Sequence, residues 1–138
     1  MQSHYNLHVC GENIARIEQE CGYIFDFVVY LRPDLIFFDD VILRDSYTKI
    51  EAAIWNKRPK CIDHFSVVPR KFVKHFFLDR FLAYTSDTGK TFSCAEDIFT
   101  STIRSHLKLD KKIKYNIVRQ ENGKYFIVAG RKKKVIWI

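Results

Sequence analysis

Apolar residues recur at steps of three and four through the first part of the chain. Leu7, Cys10, Ile14, Ile17 and Cys21 form a stripe that predicts an amphipathic helix over 5–21, with Gly22 where a C-terminal cap belongs. On this reading Cys10 and Cys21 are small hydrophobes on the buried face. The pattern then becomes continuous. Phe25 to Leu31 is a run of β-branched and aromatic residues with one charge, which predicts a buried central strand. Pro33 cannot donate a ladder hydrogen bond, so regular pairing should stop at Arg32-Pro33-Asp34, before a second extended stretch from Leu35 to Phe38 that Asp39-Asp40 closes.

Helical spacing returns over Tyr47 to Asn56, a modest helix, followed by a Lys57-Arg58-Pro59-Lys60 turn and a strand from Cys61 to Val68. Pro69 suits the first position of the next helix, whose stripe of Phe72, Val73, Phe76, Phe77, Phe81 and Leu82 should lie on a sheet and end near Tyr84. After a polar loop, Ser93-Cys94-Ala95-Glu96 opens a third helix as a capping box, with Ile98, Phe99, Ile103 and Leu107 inward. Three β-like pieces follow, Ile113 to Arg119, Lys124 to Ala129 and Val135 to Ile138, with Asn122-Gly123 marking a β-hairpin. Together these predict one α/β domain over 1–138, a mixed sheet with flanking helices.

Composition narrows the class. The 138 residues are 47% hydrophobic and carry only 5 Gly and 3 Pro, so the chain can bury a core and does not have the make-up of a disordered segment. The apolar runs are too short to span a bilayer, which takes roughly 20 residues, so a transmembrane segment is not expected. The N-terminus has neither a basic n-region nor an apolar h-region, and the four cysteines are dispersed. A cytoplasmic protein with reduced thiols is the expectation.

Candidate chemistry concentrates at the strand-end turn. A carboxylate there sits at the mouth of a crevice, the place where α/β folds bind ligands. Asp34 is therefore a candidate for holding a divalent cation against phosphate oxygens, and its alternative is an ordinary turn in which it pairs with Arg32. Asp63-His64, polar residues within an apolar strand, need partners or a ligand. Arg70, Lys71 and Arg119 are candidate pyrophosphate contacts. His4 and His8, four apart, share a helix face but have no third ligand, so a metal site there is not expected.

The run Tyr23-x-Phe25-Asp26-Phe27-Val28-Val29-x-Leu31-Arg32-Pro33-Asp34-Leu35-x-Phe37 resembles the strand and R-x-R-P-D turn of GT-A-like glycosyltransferases of microbes and large DNA viruses, in which that turn replaces D-x-D. Ile62-Asp63-His64-Phe65-Ser66-Val67-Val68-Pro69-Arg70 resembles the family's D-x-F-x-h-h-x-R strand, Cys94-Ala95-Glu96-Asp97 its acidic segment before a helix, and Ile117-Val118-Arg119 its closing strand. The resemblance covers roughly residues 1–128. It implies the C-terminal part of a GT-A fold without the nucleotide-binding half that normally precedes the motif strand.

The resemblance also implies transfer of a sugar from a nucleotide-sugar donor to a glycan or other hydroxyl acceptor. Arg32, Asp34, Asp63, His64 and Arg70 would bind the donor. Asp34 would hold Mn²⁺ or Mg²⁺ with help from Asp26 or Asp63, Arg32 standing where the first Asp of D-x-D would be. Asp97 or Glu96 would act as general base, although Glu96 is also where a capping-box glutamate belongs for structural reasons alone. Two rival readings are a non-catalytic remnant and a basic binding module. The net charge is +7, and seven of the 23 Lys+Arg lie in Lys111-Lys112-x-Lys114 and Arg131-Lys132-Lys133-Lys134, near Tyr115, Tyr125, Phe126 and Trp137. Basic strands with aromatics suit nucleic acid or an anionic membrane surface, and equally a solvated edge that resists aggregation.

Overall fold

Helix α1 runs Gln2–Cys21 and ends as its sequence predicts. Gly22 takes φ +70°, and its N–H donates to the Glu18 carbonyl at 3.0 Å. A residue with a Cβ would be strained in that left-handed conformation. The inward face is a correction to the expected stripe. Leu7, Gly11 and Glu18 are buried and Ile14 is half-buried, whereas Cys10, Ile17 and Cys21 are exposed. Two contacts select that face. A Cβ on Gly11 would lie 2.7 Å from Leu78 Cδ2 and 2.9 Å from Phe77 Cβ, so the glycine permits a close helix approach. Glu18 is drawn in by its ion pair with Arg70.

The computed structural model describes residues 2–53, 64–79, 104–110, 115–121, 124–129 and 132–136. Strands β1 (Phe27–Leu31), β3 (Ile50–Ala53), β4 (Phe65–Pro69) and β5 (Leu107–Asp110) form one sheet in the order β1-β4-β3-β5. The β3–β5 pairing is parallel and the others are antiparallel, so the sheet is mixed and the fold is α/β. Strands β2 (Leu35–Phe37), β6 (Tyr115–Glu121), β7 (Lys124–Ala129) and β8 (Lys132–Ile136) form a second, antiparallel sheet in the order β2-β6-β7-β8. Glu121 faces Lys124 across β6 and β7.

Strand alternation sorts the first sheet's side chains into two cores. Val28, Tyr30, Ile50, Ala52 and Val68 face α1 and the segment after β4, meeting Leu7, Ile14, Val73, Phe76 and Phe77. Phe27, Ala53, Phe65 and Val67 face the other way, onto Leu35, Phe37 and Tyr115 of the second sheet. The layers are therefore helix, mixed sheet, antiparallel sheet.

Several expectations are corrected. The Phe25–Leu31 strand begins at Phe27 and, among the described residues, forms an edge, with Val29 and Leu31 exposed. Ile50–Ala53, expected within a helix, is a fully buried strand between β4 and β5. Alanine's helix preference is small beside the packing of a central strand. Leu107, expected on a helix, is the first residue of β5 and sits opposite Ile50. Pro69 closes β4, and a 3-10 turn over Arg70–Phe72 leads into a π-helix, Lys74–Asp79. The Lys57–Lys60 turn, the helix beyond Asp79, and the capping box at Ser93 lie outside the described residues.

Candidate functional site

The Arg32-Pro33-Asp34 turn is where the chain leaves the first sheet and enters the second. Arg32 makes one rung beyond β1, its N–H donating to the His64 carbonyl at 3.0 Å. Pro33 has no N–H with which to continue. Two residues later Leu35 opens β2, paired with Ile117. The turn is held by a two-point ion pair: Arg32 Nε donates to Asp34 Oδ1 at 2.9 Å and Nη2 to Oδ2 at 2.6 Å. Burial disfavours the charged carboxylate, but Arg32 and, more weakly, the nearby His64 hold Asp34 below the ordinary carboxyl range. The turn pairing of Asp34 with Arg32 is thus present in this structure.

His64 stands just before β4 and is 4% exposed. Its Nδ1 lies 3.1 Å from the Tyr115 hydroxyl, and the two rings meet edge to face. Tyr115 begins β6 opposite Phe37, whose ring packs on both Phe65 and Tyr115. Residues 32, 34, 64 and 115, far apart in sequence, therefore meet at one corner between the sheets. Tyr115 was not expected there. Nothing in its local sequence marks it, because its place depends on the pairing of β6 with β2.

Arg70 belongs elsewhere. Its Nε and Nη2 each lie 2.7 Å from a Glu18 oxygen, and its backbone N–H donates to the Asp26 carbonyl at 3.0 Å. Six residues of extended chain separate it from His64, about 20 Å at the usual rise per residue. Arg70 thus ties α1 to the far end of β1 and β4 and does not join Arg32 and Asp34. Asp63, Glu96 and Asp97 lie outside the described residues, as does the side chain of Arg119.

Both Asp34 oxygens already accept from a guanidinium, and among the described residues no three His, Cys, Asp or Glu side chains are grouped to hold a metal. Beside the turn opens a mostly apolar groove of about 340 Å³, lined by Val29, Leu31, Phe37, Val41, Leu43 and Phe65 together with Asp39 and Asp40. Among the described residues no helix is long and apolar enough to cross a membrane.

No protein-family model, curated protein or solved structure matches this chain.

Proposed function

We propose that the chain is a GT-A-like glycosyltransferase whose donor site is the corner formed by Arg32, Asp34 and His64. One observation carries the reading. The turn and the D-x-F strand, which the resemblance marks separately, are bonded neighbours through Arg32 N–H and the His64 carbonyl. Arg32 supplies planar N–H donors that match diphosphate oxygens, and Asp34 orients them. On donor binding Arg32 exchanges part of its contact with Asp34 for phosphate, which frees a carboxylate oxygen to accept from a sugar hydroxyl. Asp97 or Glu96 removes the acceptor proton, a role that rests on the resemblance alone.

Isothermal titration with UDP and GDP, with and without Mn²⁺, tests this. Saturable binding by the native chain, lost in a folded Asp34→Ala protein, is the expected result. A half-buried turn residue contributes little packing, so Asp34→Ala should keep its fold. No binding of either nucleotide by the native chain overturns the reading. The basic-module alternative draws on Lys132-Lys133-Lys134 at the outer edge of the second sheet, and titration with single-stranded nucleic acid would then decide it.

A further inference from the structure

Strand β1 differs from the other sheet edges. Edges usually carry charge or are kept short, because their unpaired backbone groups invite another strand. Here β8 carries three lysines, β5 carries Lys108 and Asp110, and β2 has three residues. β1, Phe-Val-Val-Tyr-Leu, has five residues and no charge.

The direction of its backbone groups follows from two bonds. Arg32 N–H donates to the His64 carbonyl and Arg70 N–H to the Asp26 carbonyl, so 32/64 and 26/70 are hydrogen-bonded pairs of the antiparallel ladder. Such pairs recur at every second residue, so Asp26, Val28, Tyr30 and Arg32 face β4. Phe27, Val29 and Leu31 aim their N–H and C=O groups outward, where among the described residues no strand pairs. Val29 is 38% and Leu31 49% exposed, on the face that holds the apolar groove.

We infer that this edge binds a second copy of the chain by antiparallel β1–β1 pairing about a two-fold axis at Val29. The strand is self-complementary in that register. Val29 faces Val29 of the second copy and Phe27 faces Leu31, so every outward group meets an outward group. Three facing pairs at two bonds each form about six hydrogen bonds. Asp26 falls opposite Arg32 of the second copy at both ends, in non-hydrogen-bonded positions where cross-strand side chains lie closest, and that Arg32 also holds its own Asp34. Parallel pairing in the same alignment would oppose Asp26 to Asp26 and Arg32 to Arg32. Antiparallel pairing avoids the Asp26–Asp26 contact, and the two mixed sheets become one continuous sheet.

Sedimentation equilibrium at physiological salt tests the inference on the native chain and two variants. Val29→Pro removes an outward N–H that β1 does not use within its own sheet. Val29→Lys leaves the backbone intact and sets two like charges against each other across the axis. The native chain is expected to dimerise reversibly, and both variants to be monomers with native circular dichroism. A monomeric native chain, or a dimer that persists in folded Val29→Lys, overturns the inference. Should Val29→Pro fail to fold, Val29→Lys alone decides. Nucleotide binding does not enter this test, so its outcome is independent of the proposed donor site.

Discussion

At the scale of single residues, Glu18 carries more than its place on an exposed-looking helix suggests. Its two oxygens accept from Arg70, and one also accepts from the Phe25 N–H at 3.1 Å. Arg70 is the largest influence on its titration. Against the cost of burial, the guanidinium and the Phe25 N–H hold the Glu18 carboxyl below its ordinary range. A carboxyl depressed by folding stabilises the protein above its unfolded pKa, about 4.3 for Glu, and that contribution is lost as pH falls from there through the folded value. Glu18→Gln should therefore cost about 2 kcal/mol at pH 7, allowing for solvent screening at the half-exposed Arg70. Below pH 4 the difference between the variant and the native chain should shrink. Urea unfolding at several pH values checks both, and a penalty that stays constant down the acid limb would show that ionisation is not its source. Asp34, Glu51 and Asp79, also depressed, leave a residual acid sensitivity in the variant.

At the scale of elements, Gly11 sets the fit between α1 and the π-helix. In an unconstrained helix, Gly→Ala gains about 1 kcal/mol from propensity. Here the new methyl would meet Phe77 Cβ, which cannot swing aside as the end of Leu78 can. Overpacking of that kind costs about 1–3 kcal/mol, so Gly11→Ala should lower the urea midpoint. A raised midpoint would mean that the helices separate at little cost. Such packing decides what could be read from the sequence. The extent of α1, the Gly22 cap, the break at Pro33 and the segments of β6 and β7 rest on local chemistry, and each was legible, whereas β8 starts at Lys132, inside the stretch that reads as a basic cluster, and not at Val135. The edge position of β1, the strand at Ile50–Ala53 and the place of Leu107 depend on which distant segments pair, and periodicity over a short alanine-containing run does not carry that information. The corner was half legible for the same reason. Arg32 and Asp34 announce themselves as a charged turn after an apolar run, whereas Tyr115 joins them only because β6 pairs with β2 in a register that sets Phe37 opposite it.

At the scale of the whole molecule, the chain crosses between sheets at the same corner that holds the candidate site. β1 and β2 are separated only by Arg32-Pro33-Asp34, yet each pairs in a different sheet. The sheets meet through Phe37 on Phe65 at 5.5 Å between ring centroids, and through the hydrogen bond between His64 and Tyr115. A shared apolar core crossed by a buried polar contact should unfold as one cooperative unit. Tyr115→Phe keeps the ring and removes that bond, at a cost of roughly 1 kcal/mol. Urea unfolding followed by far-ultraviolet circular dichroism and by aromatic fluorescence should give one coincident transition in the native chain. In Tyr115→Phe both midpoints should move down together. If the probes separate, the sheets are independent units and the corner is a contact between them. A joint shift would show that His64, one of the residues proposed to hold the donor, also holds the two layers together through Tyr115. Ligand bound there would then raise the midpoint of the entire chain, because it would stabilise the folded state at the junction of both sheets.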